Sequence, residues 1–451
     1  MLRFVFALCV SLAASNAAAQ MLSVNPEVKA IVSQVSAERI ADTQRKLESF
    51  GTRNIYSSTT DPEHGIGAAR EWIAAQFRSY SPKLQVSFDK HRLKGNPSDR
   101  LYKDVEIWNV VAVLPGTSEP ERQVMISGHY DTINMTYKQG ENGRRMLDAE
   151  ATVAAIAPGV TDDGSGTAAV LELARVMSQF QFRKTVVFVA FASEEYGLEG
   201  SSTYAEAAAA RHDRIEALFN NDIIGSDVTG NGETTNRYVN VYSEDPNDSP
   251  SREVARYIQE INTRYQPGFD VHLVFRHDRF GRGGDHSPFN AYGFAAVRFT
   301  TPMENFSNQH TATDTFANTA PEYTALVAKA NAAALATLAL APKAPNVQSS
   351  APGGGRSFGG LSRGDGYDAV MTWHSDNPEP DLSGYAVVMR KTTSPTCEKE
   401  IVVGNVTTYT LPRVNIDEVV LGVKAIDKDG NESLVSAFVS PPYRQRKVET
   451  Y

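Results

Sequence analysis

Lys184–Ala192 reads KTVVFVAFA, and Ser193-Glu194-Glu195-Tyr196-Gly197 follows at once. A run this apolar, β-branched and short is a strand covered on both faces, as in a parallel sheet. Upstream, TDDGSG at 161–166 leads into TAAVLELARVMSQF, a turn followed by a helix. Further upstream, VEIWNVVAVL at 105–114 and QVMIS at 123–127 are strand-like. Downstream, a helix is expected from Gly200 to Ala210, strands over 218–224 and 294–299, and an Ala-rich helix over 321–340. Helical apolar spacing also covers 28–50 and 66–80, so 20–104 reads as a helical N-terminal part. Strands alternating with helices predict an α/β fold, a three-layer sandwich with a mostly parallel central sheet.

The character of the chain changes near residue 341. APKAPNVQSSAPGGGRSFGG is rich in Pro, Gly and Ser, and 343–362 reads as a linker. Beyond it YDAVMTW, GYAVVMR, 407–411 and 419–425 read as short strands. The Trp373 strand, DLSGY at 381–385 and VKAIDKDGNES at 423–433 resemble a fibronectin type III module. That resemblance implies a C-terminal all-β sandwich over 363–451.

Bulk properties narrow the function. The 451 residues are 41% hydrophobic and 22% charged, with a formal net charge of −9. An acidic chain without a basic stretch argues against a nucleic-acid partner. Arg3, the apolar run Phe4–Ala14 and Ala17-Ala18-Ala19 read as a signal peptide over 1–19, which implies export to a periplasmic or extracellular location. No later segment reads as long and apolar enough to span a membrane, so no stable membrane insertion is expected. Cys9 and Cys397 are the only cysteines, so any metal must be held by His, Asp and Glu. Oligomeric state is not legible; a monomer is the expectation.

Chemistry-bearing residues gather where strands end, which in an open α/β sheet is where ligands bind. Ser127-Gly128-His129-Tyr130-Asp131 follows one strand; a His there can ligate a metal, or simply be a satisfied core residue. Asp162-Asp163 opens a helix and can cap it, or supply a carboxylate between two cations. Glu194-Glu195 follows the buried strand, as an acidic turn or as a metal ligand with a neighbouring proton acceptor. Asp222 lies in the apolar LFNNDIIG, where an unpaired carboxylate is costly. His310 stands in QHTATDT, before the last helix.

Together and in this order, GHYD, GVTDDGSG, SEEYGLEGS, NNDIIG and QHTATDT resemble the two-zinc aminopeptidase family related to glutamate carboxypeptidase II, transferrin receptor and glutaminyl cyclase. Gly284-Asp285-His286-Ser287-Pro288-Phe289 resembles that family's Ser-Asp-His-x-Pro-Phe, with Gly284 in the Ser position. The likeness spans roughly 28–342, within a peptidase domain placed at 20–342. It implies the zinc exopeptidase fold and two Zn2+ per chain. His129 and Asp222 would hold one ion, Glu195 and His310 the other, and Asp162 both. Glu194 would be the general base and Asp131 would orient His129. Arg282 and Asp285 are the candidate substrate contacts, His286 a structural support. The implied activity is peptide-bond hydrolysis in peptides or proteins, foremost as an aminopeptidase. A carboxypeptidase on the same site or a one-zinc glutaminyl cyclase is the alternative. A receptor-like binding protein fits poorly, because all five ligands and Glu194 are present. The chain departs from the pattern by an extra residue between Gly159 and Asp162 and by a long connection over 133–157.

Overall fold

The structure is a computed structural model that describes residues 24–97, 99–140, 143–277, 283–347, 360–375 and 379–439. The expected signal peptide, Arg282 and 348–359 of the expected linker lie outside the described residues.

The chain opens with helices α1 (Pro26–Ser33), α2 (Ala37–Ser49) and α3 (Gly65–Tyr80). Two local signals split the first helical stretch. Asn25 caps α1 ahead of Pro26, and the Ser36 side chain accepts the Arg39 N–H to start α2. Strands β1 (Gln85–Leu93), β2 (Val105–Leu114) and β3 (Glu119–His129) follow. The long connection over 133–157 forms a small hairpin, β4 (Tyr137–Gln139) and β5 (Arg145–Leu147), and helix α4 (Ala149–Ala154). Then come α5 (Gly164–Met177), β6 (Lys184–Phe191), α6 (Glu199–Arg211), β7 (Arg214–Asn221), β8 (Tyr238–Ser243), α7 (Pro250–Tyr265), β9 (Asp270–Phe275), α8 (His286–Ala291), β10 (Ala296–Thr300) and α9 (Pro321–Leu340).

Eight strands form one sheet in the order β1-β2-β6-β3-β7-β10-β8-β9. The centre, β6-β3-β7-β10, is parallel throughout. The flanks join it antiparallel, at β2–β6 and at β10–β8, so the sheet as a whole is mixed. The sequence reading did not anticipate β1, β8 or β9. β6 shows why the centre reads as one apolar run. Val186, Phe188 and Ala190 face the large core under α2, α3, α5 and α9, while Val187, Val189 and Phe191 face a second core under α6 and α8. Helices therefore cover both faces, giving three layers. Each fully buried Val or Phe of this kind contributes about 1.5–3 kcal/mol. α9 is long and apolar enough to cross a membrane by length and composition, contrary to the sequence expectation, but it is buried in the core against α1, α5 and α7.

The C-terminal strands are β11 (Leu361–Arg363), β12 (Ala369–Thr372), β13 (Leu382–Lys391), β14 (Lys399–Gly404), β15 (Thr408–Leu411), β16 (Val419–Asp427) and β17 (Ser436–Ala437). They form two antiparallel sheets, β11-β12-β15 and β14-β13-β16-β17. Trp373, wholly buried, and Tyr385 pack between them with ring centroids 5.5 Å apart. β11 begins inside the expected linker, and Asn346 already bridges His374. Ion pairs fasten this C-terminal part to α7 and to the loop before β6: Arg264 to Glu432 at 2.7 Å, Lys424 to Glu260 at 2.6 Å and Arg183 to Asp381 at 2.5 Å.

Candidate metal centre

The parallel centre of the sheet delivers its C-terminal ends to one place. β3 ends on His129, β6 is followed by Glu194 and Glu195, and β7 by Asp222. Asp222 thus sits just past its strand rather than inside it, as the sequence had suggested. β10 leads into the loop that carries His310. Asp162 arrives from the loop before α5. Five non-glycine residues in these loops, Ser193, Leu198, Ile223, Met303 and His310, have φ between 51° and 67°. Left-handed backbone at such residues costs energy and is held by its surroundings, a habit of functional sites.

The side chains converge. His129, almost fully buried, has Nε2 3.2 Å from Asp162 Oδ1 and 3.9 Å from Asp222 Oδ1. His310 Nε2 lies 3.0 Å from Asp162 Oδ2 and 3.1 Å from Glu195 Oε2. Asp162 therefore offers one oxygen to each imidazole. The atoms of His129, Asp162 and Asp222 lie within 4.8 Å of one another, as do those of Asp162, Glu195 and His310, and those of His129, Glu194 and Glu195. The five expected ligands and Glu194 thus form one cluster.

Its electrostatics favour cations. Burial disfavours a charged His310, yet Glu195 and Asp162 push the imidazole up to about 11. Burial, reinforced by Asp222, Glu195 and Asp285, raises the Glu194 carboxyl well above its usual range, against the pull of His129. Among the described residues, Nε2 of His129 and Oε1 of Glu195 are buried without a hydrogen-bond partner. Two imidazoles and three carboxylates with orphaned buried atoms suit a zinc-type ion. A fourth acidic group, Glu260, Glu400 and Glu432, makes the contrast: Lys424 Nζ already stands 2.6, 3.0 and 2.6 Å from its three members.

A surrounding layer fixes the ligands. The Asp131 carboxylate is 3.6 Å from His129 Nδ1, which instead meets the Asp131 backbone oxygen at 3.1 Å. That carboxylate accepts the backbone N–H groups of Glu194 at 3.1 Å and Glu195 at 3.3 Å, so it sets the Glu-Glu turn as well as flanking His129. Asp163 caps α5 through the Gly166 N–H and accepts the N–H groups of His129 and Ile223, joining three ligand-bearing segments. Asp285, the expected substrate contact, is wholly buried. His286, also wholly buried, lies 3.7 Å from Glu244.

The sequence reading missed several residues. Arg53 is wholly buried and donates to the carbonyls of Leu47, Tyr130, Pro158 and Gly159, binding the His129 and Asp162 loops together. Asp314 accepts the N–H groups of Thr161 and Asp162 at 2.9 and 3.0 Å. Gln309 donates to Asp162 Oδ2 at 3.0 Å, and Arg100 to the Glu195 carbonyl at 3.1 Å. Arg298 pairs with Asp222 at 3.2 Å. A lone Arg in the apolar FAAVRF carried the same signal as Asp222: a charge in a buried strand needs a partner.

Residues 109–335 match the profile of Peptidase family M28. A probable zinc metalloprotease of Pyricularia oryzae is 35% identical over 443 residues, covering 90% of this chain and 83% of the relative. One from Leptosphaeria maculans is 33% identical over 436 residues, covering 90% and 95%. Among solved structures, LapB from Legionella pneumophila aligns with a TM-score of 0.54 and 20% identity over 71% of this chain and 76% of its own. Porphyromonas gingivalis glutaminyl cyclase aligns at 0.52 and 18% identity over 67% and 98%. At these identities the two structures share the fold.

Proposed function

The chain belongs to peptidase family M28, and from that membership we propose that it is a zinc-dependent aminopeptidase releasing residues from the free N-terminus of peptides. The observation that carries this reading is Asp162 poised between two imidazoles, His129 buried and His310 half-buried, with Glu194 in the same cluster. His129 and Asp222 would hold one zinc, Glu195 and His310 a second, and Asp162 both. Bound there, the ions supply Lewis-acid polarisation of the scissile carbonyl and a lowered pKa for the attacking water. Glu194 accepts the proton of that water on a carboxylate oxygen and returns it to the leaving nitrogen. Asp131, through the two amides it holds, keeps Glu194 and Glu195 in register so that one ligates while the other moves the proton. The acidic cluster also attracts a substrate ammonium group, which favours a free N-terminus. Residues 1–19 are proposed to direct export, and 363–451 to be a fibronectin type III-like module.

One observation favours a carboxypeptidase instead: Arg100, an exposed cation, reaches the Glu195 carbonyl and so stands where a substrate carboxylate could meet it. Matched peptides with a free, N-acetylated or C-amidated end separate the readings. An aminopeptidase cleaves the C-amidated peptide and spares the N-acetylated one. The reverse pattern overturns the aminopeptidase reading, and so does pyroglutamate formation from an N-terminal Gln peptide without release of an amino acid.

A further inference from the structure

The surroundings of the two proposed cation positions differ at Arg298. Its side chain is wholly buried on β10, and Nε stands 3.2 Å from Asp222 Oδ2. The other Asp222 oxygen, Oδ1, faces His129. Among the described residues, no Arg or Lys side chain forms an ion pair with Asp162 or Glu195; their charged partners are the two imidazoles. A fixed positive charge therefore touches a ligand of one position only.

Gly284 makes room for that pair. A Cβ at 284 would stand 3.2 Å from Arg298 Cδ and 3.2 Å from Asp222 Oδ2. This is the position where the chain has Gly in place of the Ser of the motif it otherwise resembles. The glycine and the arginine read as one feature: the missing side chain lets the guanidinium lie against the carboxylate.

We infer that Arg298 is a positioning residue that restricts Asp222 to one ligand oxygen and makes the His129–Asp222 position the weaker and more exchangeable of two divalent-cation positions. Two effects act in the same direction. The guanidinium engages Oδ2, so a cation must compete for it, and its charge opposes a second cation nearby. In exchange, Asp222 stays paired when the cation leaves, which spares the fold a buried lone carboxylate. This inference rests on the two-cation reading given above.

The test titrates the metal-free full chain with Zn2+ against a chromophoric chelator, and follows Tm with and without zinc. Wild type should bind two ions in steps at least about tenfold apart. Arg298→Met should tighten the weaker step at least tenfold and leave the stronger one unchanged. Its metal-free Tm should fall more than its zinc-saturated Tm. Arg298→Lys, which keeps the charge, should restore separated steps. Gly284→Ser, which crowds the pair and leaves the arginine in place, should tighten the weaker step severalfold; this arm decides the matter if Arg298→Met does not fold. Unchanged or loosened weaker steps in Arg298→Met and Gly284→Ser overturn the inference. So does a wild type that binds two indistinguishable ions, an outcome that leaves the two-cation reading standing. A wild type that binds one ion overturns both.

Discussion

Lys184 allows a quantitative prediction, because its ammonium is wholly buried at the N-terminal end of β6. Nζ lies 2.8 Å from Glu216 Oε2. Burial lowers its pKa to about 8, and Glu216 offsets this only in part. The unfolded value is about 10.4, so the folded chain releases this proton at lower pH than the unfolded chain does. The group's stabilising contribution is present above the unfolded pKa and is lost as pH falls through 8. Between these limits stability rises with pH, since the unfolded state binds more protons. At about 1.4 kcal/mol per pKa unit, the whole span amounts to about 3 kcal/mol. Lys184→Met removes the titration and leaves Glu216 paired with Arg122. Urea midpoints for both proteins, measured from pH 7 to 10.5 with the metal removed, isolate the effect as a difference. Wild type should gain on the variant by about 3 kcal/mol across that range. At pH 7 the variant should equal or exceed wild type, because it buries no charge. Its zinc content should be unchanged, since Lys184 sits at the opposite end of the strand from Glu194 and Glu195. A difference that is flat with pH would refute the reasoning.

Two substitutions probe the frame that carries the ligands. A Cβ on Gly166 would lie 2.3 Å from the Asn221 carbonyl and 2.3 Å from Asp163 Oδ2, so Gly166→Ala should lower both Tm and zinc uptake; full zinc uptake with an unchanged Tm would mean that the α5 turn is looser than this. The Thr167 hydroxyl, buried, donates to the His129 carbonyl at 2.8 Å, so Thr167→Val should cost about 1–2 kcal/mol or roughly 1–3 °C in Tm for a domain of this size, read by thermal unfolding, and an unchanged Tm would count against that bond.

The sequence exposed the centre of the sheet because two-sided burial of β6 leaves no polar alternation to confuse it. It exposed the ligands because four of the five stand beside recognisable strand or helix ends. It concealed β1 and β9 because edge strands carry exposed and half-buried residues, such as QVSFDKHRL at 85–93. It concealed Arg53 because a guanidinium satisfied by four backbone carbonyls leaves no partner motif to find. Asp131 was legible as important, but not what it does: its carboxylate reaches two amides 63 and 64 residues away, a contact set by the β3–β6 register. Arg298 is legible by the argument applied to Asp222, as a charge in a buried strand that needs a partner.

The central claim is that Glu194 moves a proton and binds no metal. Glu194→Gln, made in the full chain, measures it directly by zinc per chain and by turnover of an unblocked peptide. The variant should keep two zinc ions per chain and lose hydrolysis by about 10²–10⁴-fold. Full zinc content with activity within tenfold of wild type would contradict the claim, and so would loss of a zinc ion.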